Sequence, residues 1–167
     1  MKKYKVPVNE PYLFGNEKKY LLKCLKDGYI SSSGKFVKKF EEKFAKRVNR
    51  KFAISVSNGT AALQLAFEAL NIKKKEEVIL PSFTIISCVL PVIRSGAIPV
   101  LVDSDPNTWN MDVNKIEKKI TSRTRAIIAP HIYGLPIDMD PLLKIAQKYN
   151  LKVIEDAAEV LGLKYKN

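Results

Sequence analysis

The chain has 167 residues, the size of one domain, and 46% are hydrophobic, enough for a sizeable core. Its formal net charge is +12, but the cations are spread over predicted helix faces. The densest clusters, Lys73-Lys74-Lys75 and Lys118-Lys119, carry no interleaved aromatics, so a solvated Lys-rich surface fits better than a nucleic-acid partner, and its field favours an anionic small ligand. No run approaches the roughly 20 apolar residues of a membrane span, no apolar signal region follows Met1-Lys2-Lys3-Tyr4-Lys5, and one His with two separated Cys, Cys24 and Cys88, argues against a disulfide framework or a metal site. The expectation is a cytoplasmic protein with no membrane partner.

Pro7 to Phe14 reads as an irregular arm. Glu17 to Lys26 places Tyr20, Leu21, Cys24 and Leu25 on one helical face and stops at Asp27-Gly28. Tyr29 to Gly34 is a polar loop suited either to touching a ligand or to joining two helices. Lys35 to Asn49 is an amphipathic helix with Val37, Phe40, Phe44 and Val48 in register.

From Lys51 the pattern becomes strand, turn, helix, repeated. Phe52–Val56 reads as a strand, Ser57–Thr60 as a turn, and Ala61 to Leu70 as a helix. Val78–Leu80 is a strand, and Pro81-Ser82-Phe83-Thr84 opens a short helix ending near Gly96. Ile98–Val102 is a strand leading to Asp103, Asp112 to Ile120 a helix, and Ala126–Pro130 a strand. Asp138 to Tyr149 is a helix with Leu142, Ile145 and Ala146 inward, and Leu151–Ile154 closes the series. This alternation predicts an α/β fold, a mostly parallel sheet with helices on both faces. It divides the chain into an N-terminal arm with helices, 1–50, and a sheet domain, 51–167.

Two features point to chemistry. Ser57-Asn58-Gly59-Thr60 follows a strand and opens a helix, where unpaired N–H groups and the positive end of the dipole bind phosphate. Gly59 permits close approach and Thr60 adds a hydroxyl; the plain alternative is a turn with Ser57 or Asn58 as helix cap. Asp156 ends an apolar strand run, where open α/β sheets hold their ligands, and the small Ala157 and Ala158 leave room beside it. It could equally cap a helix. A phosphate cradle and a strand-end carboxylate together suit pyridoxal 5'-phosphate, because a carboxylate beside the pyridine nitrogen favours its protonated form, the electron sink of the cofactor.

These and further motifs resemble the DegT/DnrJ/EryC1/StrS family of pyridoxal phosphate-dependent sugar-nucleotide aminotransferases, which have the fold type I (aspartate aminotransferase-like) large domain. The matching segments run from Val6-Pro7-Val8 to Tyr165. They include Tyr29-Ile30-Ser31-Ser32-Ser33-Gly34-Lys35, Ser57 to Leu63, Pro81-Ser82-Phe83-Thr84, His131-Ile132-Tyr133-Gly134 and Glu155-Asp156-Ala157-Ala158-Glu159. Val102 to Asp112 is most similar to the perosamine synthase branch, which implies amino transfer from glutamate to a nucleotide-linked 4-keto-6-deoxy sugar for polysaccharide or glycan biosynthesis.

The resemblance implies that Ser57, Gly59 and Thr60 hold the cofactor phosphate, that Asp156 pairs with the pyridine nitrogen, and that Glu159 lies near the 3-hydroxyl. Ile85 stands where many relatives carry a ring-stacking aromatic, and Leu161 where perosamine synthase relatives carry a histidine. Ser31 and Ser32 fall on the substrate side. His131, tempting as the only histidine, falls on a strand end near the site and is read as structural. The family's Schiff-base lysine belongs to a Ser-rich motif beyond Asn167 and is absent from this chain, as is the C-terminal small domain. Taken alone, the 167 residues are therefore expected to be inactive or nearly so. Three readings follow: part of a longer enzyme, one half of a split enzyme with a complementing C-terminal portion, or a non-catalytic cofactor-binding or interaction remnant. The family also implies a homodimer.

Overall fold

A computed structural model describes residues 10–166. The first part of the arm, including Val6-Pro7-Val8, and Asn167 lie outside the described residues. The chain divides into two compact units, Met1–Ser55 and Val56–Asn167.

In the first unit, α1 spans Glu17–Asp27 and α2 spans Lys35–Arg47. Helix α1 stops where the sequence predicts. Gly28 takes a left-handed φ of 72° and returns its N–H to Leu25 O at 3.2 Å, a conformation that costs glycine least. The apolar faces of these helices are little buried. Helix α1 has no buried residue and α2 has only Ala45, while Leu21, Leu25 and Phe40 stand exposed.

The second unit begins with α3, Gly59–Ala69, followed by β1, Glu77–Pro81, α4, Ile86–Arg94, and β2, Ile98–Val102. Next come two short 3-10 turns, Val113–Lys115 and Glu117–Lys119, and then β3, Thr124–Pro130, α5, Met139–Lys148, and β4, Lys152–Asp156. The four strands form one parallel sheet in the order β2-β1-β3-β4. Side chains alternate across a strand, so each face of the sheet builds its own core. Val78, Leu80, Ala126, Ile128 and Ile154 pack with Leu63 and Phe67 of α3 and Cys88 and Val92 of α4. Ile79, Val102, Ile127 and Ala129 face the other way, onto Val113, Ile116, Leu142 and Ala146. The predicted parallel sheet with helices on both faces is what forms, and the uninterrupted apolar runs reflect burial on both sides.

Three elements differ from the sequence reading. Phe52–Val56 joins no ladder; Phe52 and Ile54 are exposed, and Ser55 N–H donates to Glu41 Oε1 at 2.8 Å instead of to a neighbouring strand. Alternation alone does not make a strand without a backbone to pair with. Asp112 to Ile120 forms the two 3-10 turns instead of one helix. Val113 and Ile116 sit three residues apart, which suits three residues per turn, and the Asp112 side chain accepts from Asn114 N at 3.1 Å. Pro81 ends β1 rather than starting α4, which begins at Ile86. No described helix is long and apolar enough to cross a membrane.

Candidate functional site

A parallel sheet brings all its carboxyl ends to one rim. The chain leaves β1 toward α4 on one face and leaves β3 toward α5 on the other, so the central pair β1/β3 is the topological switch point where such sheets open a crevice. Three aromatics from successive rim loops meet there. Phe83 lies 5.4 Å from Trp109 edge-on, and 6.4 Å from Tyr133, centroid to centroid.

Asp156 ends β4 on this rim and is half-buried. No helix begins after it; residues 157–162 are a turn, so the helix-cap reading does not hold. Among the described residues each carboxylate oxygen has one donor. Ala158 N–H reaches Oδ1 at 3.1 Å, and the Cys88 thiol reaches Oδ2 at 3.4 Å. Cys88 is fully buried and also accepts from Thr84 Oγ1 at 3.3 Å. Burial, together with the adjacent Asp156 charge and against the Thr84 hydrogen bond, pushes the Cys88 thiol up to about 12. It therefore keeps its proton and acts as donor.

The turn before α3 carries the second feature. Asn58 caps the helix, with Oδ1 accepting from Ala61 N at 2.9 Å and its carbonyl accepting from Ala62 N at 3.1 Å. Ser57 Oγ accepts from Asn58 Nδ2 at 3.2 Å. The N–H groups of Gly59 and Thr60 take no acceptor among the described residues. A Cβ built on Gly59 would meet nothing within 4 Å, so the backbone is open on that side of Gly59. Thr60 Oγ1 and Ser87 Oγ share a hydrogen bond of 2.8 Å. Ser87 and Cys88 are neighbours in the first turn of α4, so one helix terminus ties the α3 donors to Asp156.

The other predicted residues fall as follows. Ile85 precedes α4 and is 62% exposed, an aliphatic surface beside Thr84 and Cys88. Glu159 accepts a hydrogen bond from Tyr133 N and thereby holds the turn after β3, where Tyr133 (φ 48°) and Gly134 (φ 83°) are both left-handed. Ser31 and Ser32 belong to the first unit and are exposed. His131 is buried and both ring nitrogens are engaged. Nδ1 accepts from Ile137 N at 3.0 Å, and Nε2 lies 3.2 Å from Glu155 Oε1.

Sequence reasoning missed Ser87, the partnership of Cys88 with Asp156, and Asn110. Thr84 and Cys88 are four apart at the start of a predicted helix, a spacing that signals contact. Asn110 gave no such signal. It is buried and joins two rim loops, donating to Leu135 O at 2.8 Å and accepting from Ile132 N at 3.0 Å. A cleft of about 420 Å³ nearby is lined by Asp105, Asp112 and Asp138 with Lys166. It contains none of the predicted site residues, and three carboxylates suit it poorly for a phosphate.

The model of the DegT/DnrJ/EryC1/StrS aminotransferase family matches residues 12–167. The GDP-perosamine synthase of Escherichia coli O157:H7 is 48% identical over 161 residues, which are 96% of this chain and 44% of that protein. Among solved structures, an aminotransferase from Psychrobacter cryohalolentis superposes with a TM-score of 0.88 at 35% identity, over 94% of this chain and 40% of that one. An E. coli GDP-4-keto-6-deoxy-D-mannose-3-dehydratase with bound hydrated PLP gives a TM-score of 0.88 at 29% identity, over 96% of this chain and 43% of that one. The chain thus spans less than half the length of these relatives. It belongs to the DegT/DnrJ/EryC1/StrS aminotransferase family.

Proposed function

We propose that this member of the family carries the cofactor-binding half of a pyridoxal 5'-phosphate-dependent aminotransferase. Its substrate in this reading is a nucleotide-linked 4-keto-6-deoxy sugar of the perosamine type, with glutamate as amino donor. The observation that carries the reading is the single α4 terminus linking the Gly59/Thr60 donors, through Ser87, to the carboxylate of Asp156, through Cys88. The residues present fit the cofactor: two N–H groups at a helix N-terminus have no acceptor among the described residues, and a half-buried carboxylate is steadied on both oxygens.

In this reading Gly59 and Thr60 bind the phosphate through their N–H groups and the helix dipole. Asp156 accepts a hydrogen bond from the ring nitrogen and, by its charge, keeps the proton on that nitrogen. When bound, the cofactor supplies an electron sink for a carbanion. Ile85 offers an apolar wall for one ring face, with less stacking than an aromatic. Glu159 holds the Tyr133 turn and presents a polar edge near the 3-hydroxyl. Ser31 and Ser32 fall on the substrate side, and the lysine of the family's Ser-rich motif comes from outside these 167 residues. A cytoplasmic homodimer, with the Tyr29 to Gly34 loop near the partner, completes the proposal. Similarity to perosamine synthases supports the sugar assignment, and Leu161 is the position to test when that sugar is varied.

The test uses pyridoxamine 5'-phosphate, which cannot form imines with the many surface lysines. Trp109, the only tryptophan, stands on the rim and reports binding by its emission. Saturable quenching that competes with inorganic phosphate is expected. Titration without any saturable change would sink the reading. Sedimentation of the chain checks the dimer.

A further inference from the structure

A carboxylate that must face one ring atom needs its rotamer fixed by neighbours that do not themselves move. Among the described residues, two donors serve Asp156. Ala158 N–H belongs to the same turn, two residues on, and moves with it. Cys88 is different: it comes from α4, 68 residues away in sequence, and is buried in the core shared by α3, α4 and the sheet. Its sulfur is held in turn by Thr84 Oγ1. Only this second contact ties the carboxylate to a rigid element.

We infer that Cys88 is a positioning residue for Asp156: its S–H, backed by the Thr84 hydroxyl, donates to Oδ2 and fixes the direction in which the remaining carboxylate lone pairs face a cationic ring nitrogen. The inference rests on the role proposed for Asp156 and deepens it. No covalent step is involved. A thiol is a weak donor, so it orients the carboxylate while leaving most of its hydrogen-bonding capacity for the ligand. A protonated thiol is required, and the upward push on Cys88 to about 12 supplies it at any ordinary pH. Full burial also keeps the thiol from oxidants and alkylating agents.

The contact can be read without any ligand. In the Cys24→Ser chain the infrared S–H stretch belongs to Cys88 alone. The band is expected below the frequency of a free thiol and should rise when Asp156→Ala removes the acceptor. A band at the free-thiol frequency, or one unmoved by Asp156→Ala, overturns the inference whatever the chain binds. The functional half is read by pyridoxamine 5'-phosphate affinity. Cys88→Ala should weaken it about two- to threefold, the low end of the range for one hydrogen bond, and Cys88→Ser should restore it, because a hydroxyl donates in the same place. Equal affinity for wild type and Cys88→Ala overturns the inference alone, leaving the cofactor reading intact. Absence of binding by the wild type fails the cofactor reading, and the inference with it. Should Cys88→Ala not fold, the wild-type band and the Cys88→Ser affinity still decide.

Discussion

Two carboxylates sit at opposite ends of the same parallel sheet and are treated in opposite ways. Glu77 opens β1 at the amino end and is 3% exposed. Its oxygens are crowded with donors: Thr121 Oγ1, Thr124 Oγ1 at 3.3 Å, and the Arg123 guanidinium, with Nε at 2.9 Å and Nη2 in an ion pair. Asp156 closes β4 at the carboxyl end, half-buried, with one weak thiol donor and one N–H. No cation among the described residues is paired with it. The difference separates a structural carboxylate from one left with capacity for a ligand. Glu77 is satisfied by the fold, whereas Asp156 is oriented by the fold and left incomplete.

The comparison breaks if Asp156 proves structural or Glu77 proves dispensable. The largest effect is expected from Asp156→Asn. It should weaken pyridoxamine 5'-phosphate binding roughly 10- to 100-fold, the size of a charged hydrogen bond, while thermal unfolding changes little. A large loss of stability with unchanged affinity would reverse the assignment.

Glu77→Gln should do the opposite. Loss of the charge-assisted bonds is expected to cost about 1–3 kcal/mol, checked by urea unfolding, with no change in ligand affinity. The exposed head of Arg123 can turn to water, which keeps this below the cost of stranding a buried charge.

A pH series sharpens the same point. The Thr121 hydrogen bond first, and Arg123 with it, hold the Glu77 carboxyl below the usual carboxylate range, against the opposing effect of burial. A lowered folded-state pKa means the folded state binds fewer protons than the unfolded chain. The stabilisation is therefore complete above the unfolded value of about 4.3 and is lost as pH falls through the lower folded value. Unfolding free energies of wild type and Glu77→Gln should differ near pH 6 and converge in stronger acid. A constant difference across that range would show that charge is not what Glu77 contributes.

The smallest effect is expected from Thr60→Val. It removes the hydroxyl shared with Ser87 but leaves the backbone N–H. Affinity should fall about fivefold in the same fluorescence titration, and an unchanged value would remove the Thr60 hydroxyl from the site.

The two ends also differ in how far they were legible. The strands and both core faces could be read because Val78–Leu80 and Ala126–Ala129 are unbroken apolar runs, a local property. Asp156 and the Gly59-Thr60 turn could be read because each ends or begins an element. Phe52–Val56 misled for the converse reason: its alternation is local, but a strand needs a partner that sequence does not display. The network around Glu77 and the Cys88 contact were invisible because they join residues 44–47 and 68 apart. Nothing in the spacing of such residues signals that the fold will bring them together. Asn110 is the same case on a smaller scale, bridging 22 and 25 residues to satisfy two loop backbones.

The strand order carries one more consequence, for the order in which the molecule assembles. β1 and β3 are the central pair, yet β2 lies between them in sequence, so Glu77 and Thr124 meet only after a 47-residue segment has been looped out. Closing such a loop costs entropy before any contact is gained. The clamp at the amino end is therefore expected to form late in folding. Glu77→Gln should leave the refolding rate near that of the wild type and express its cost as faster unfolding, whereas slowed refolding would put the β1/β3 seam in the nucleus.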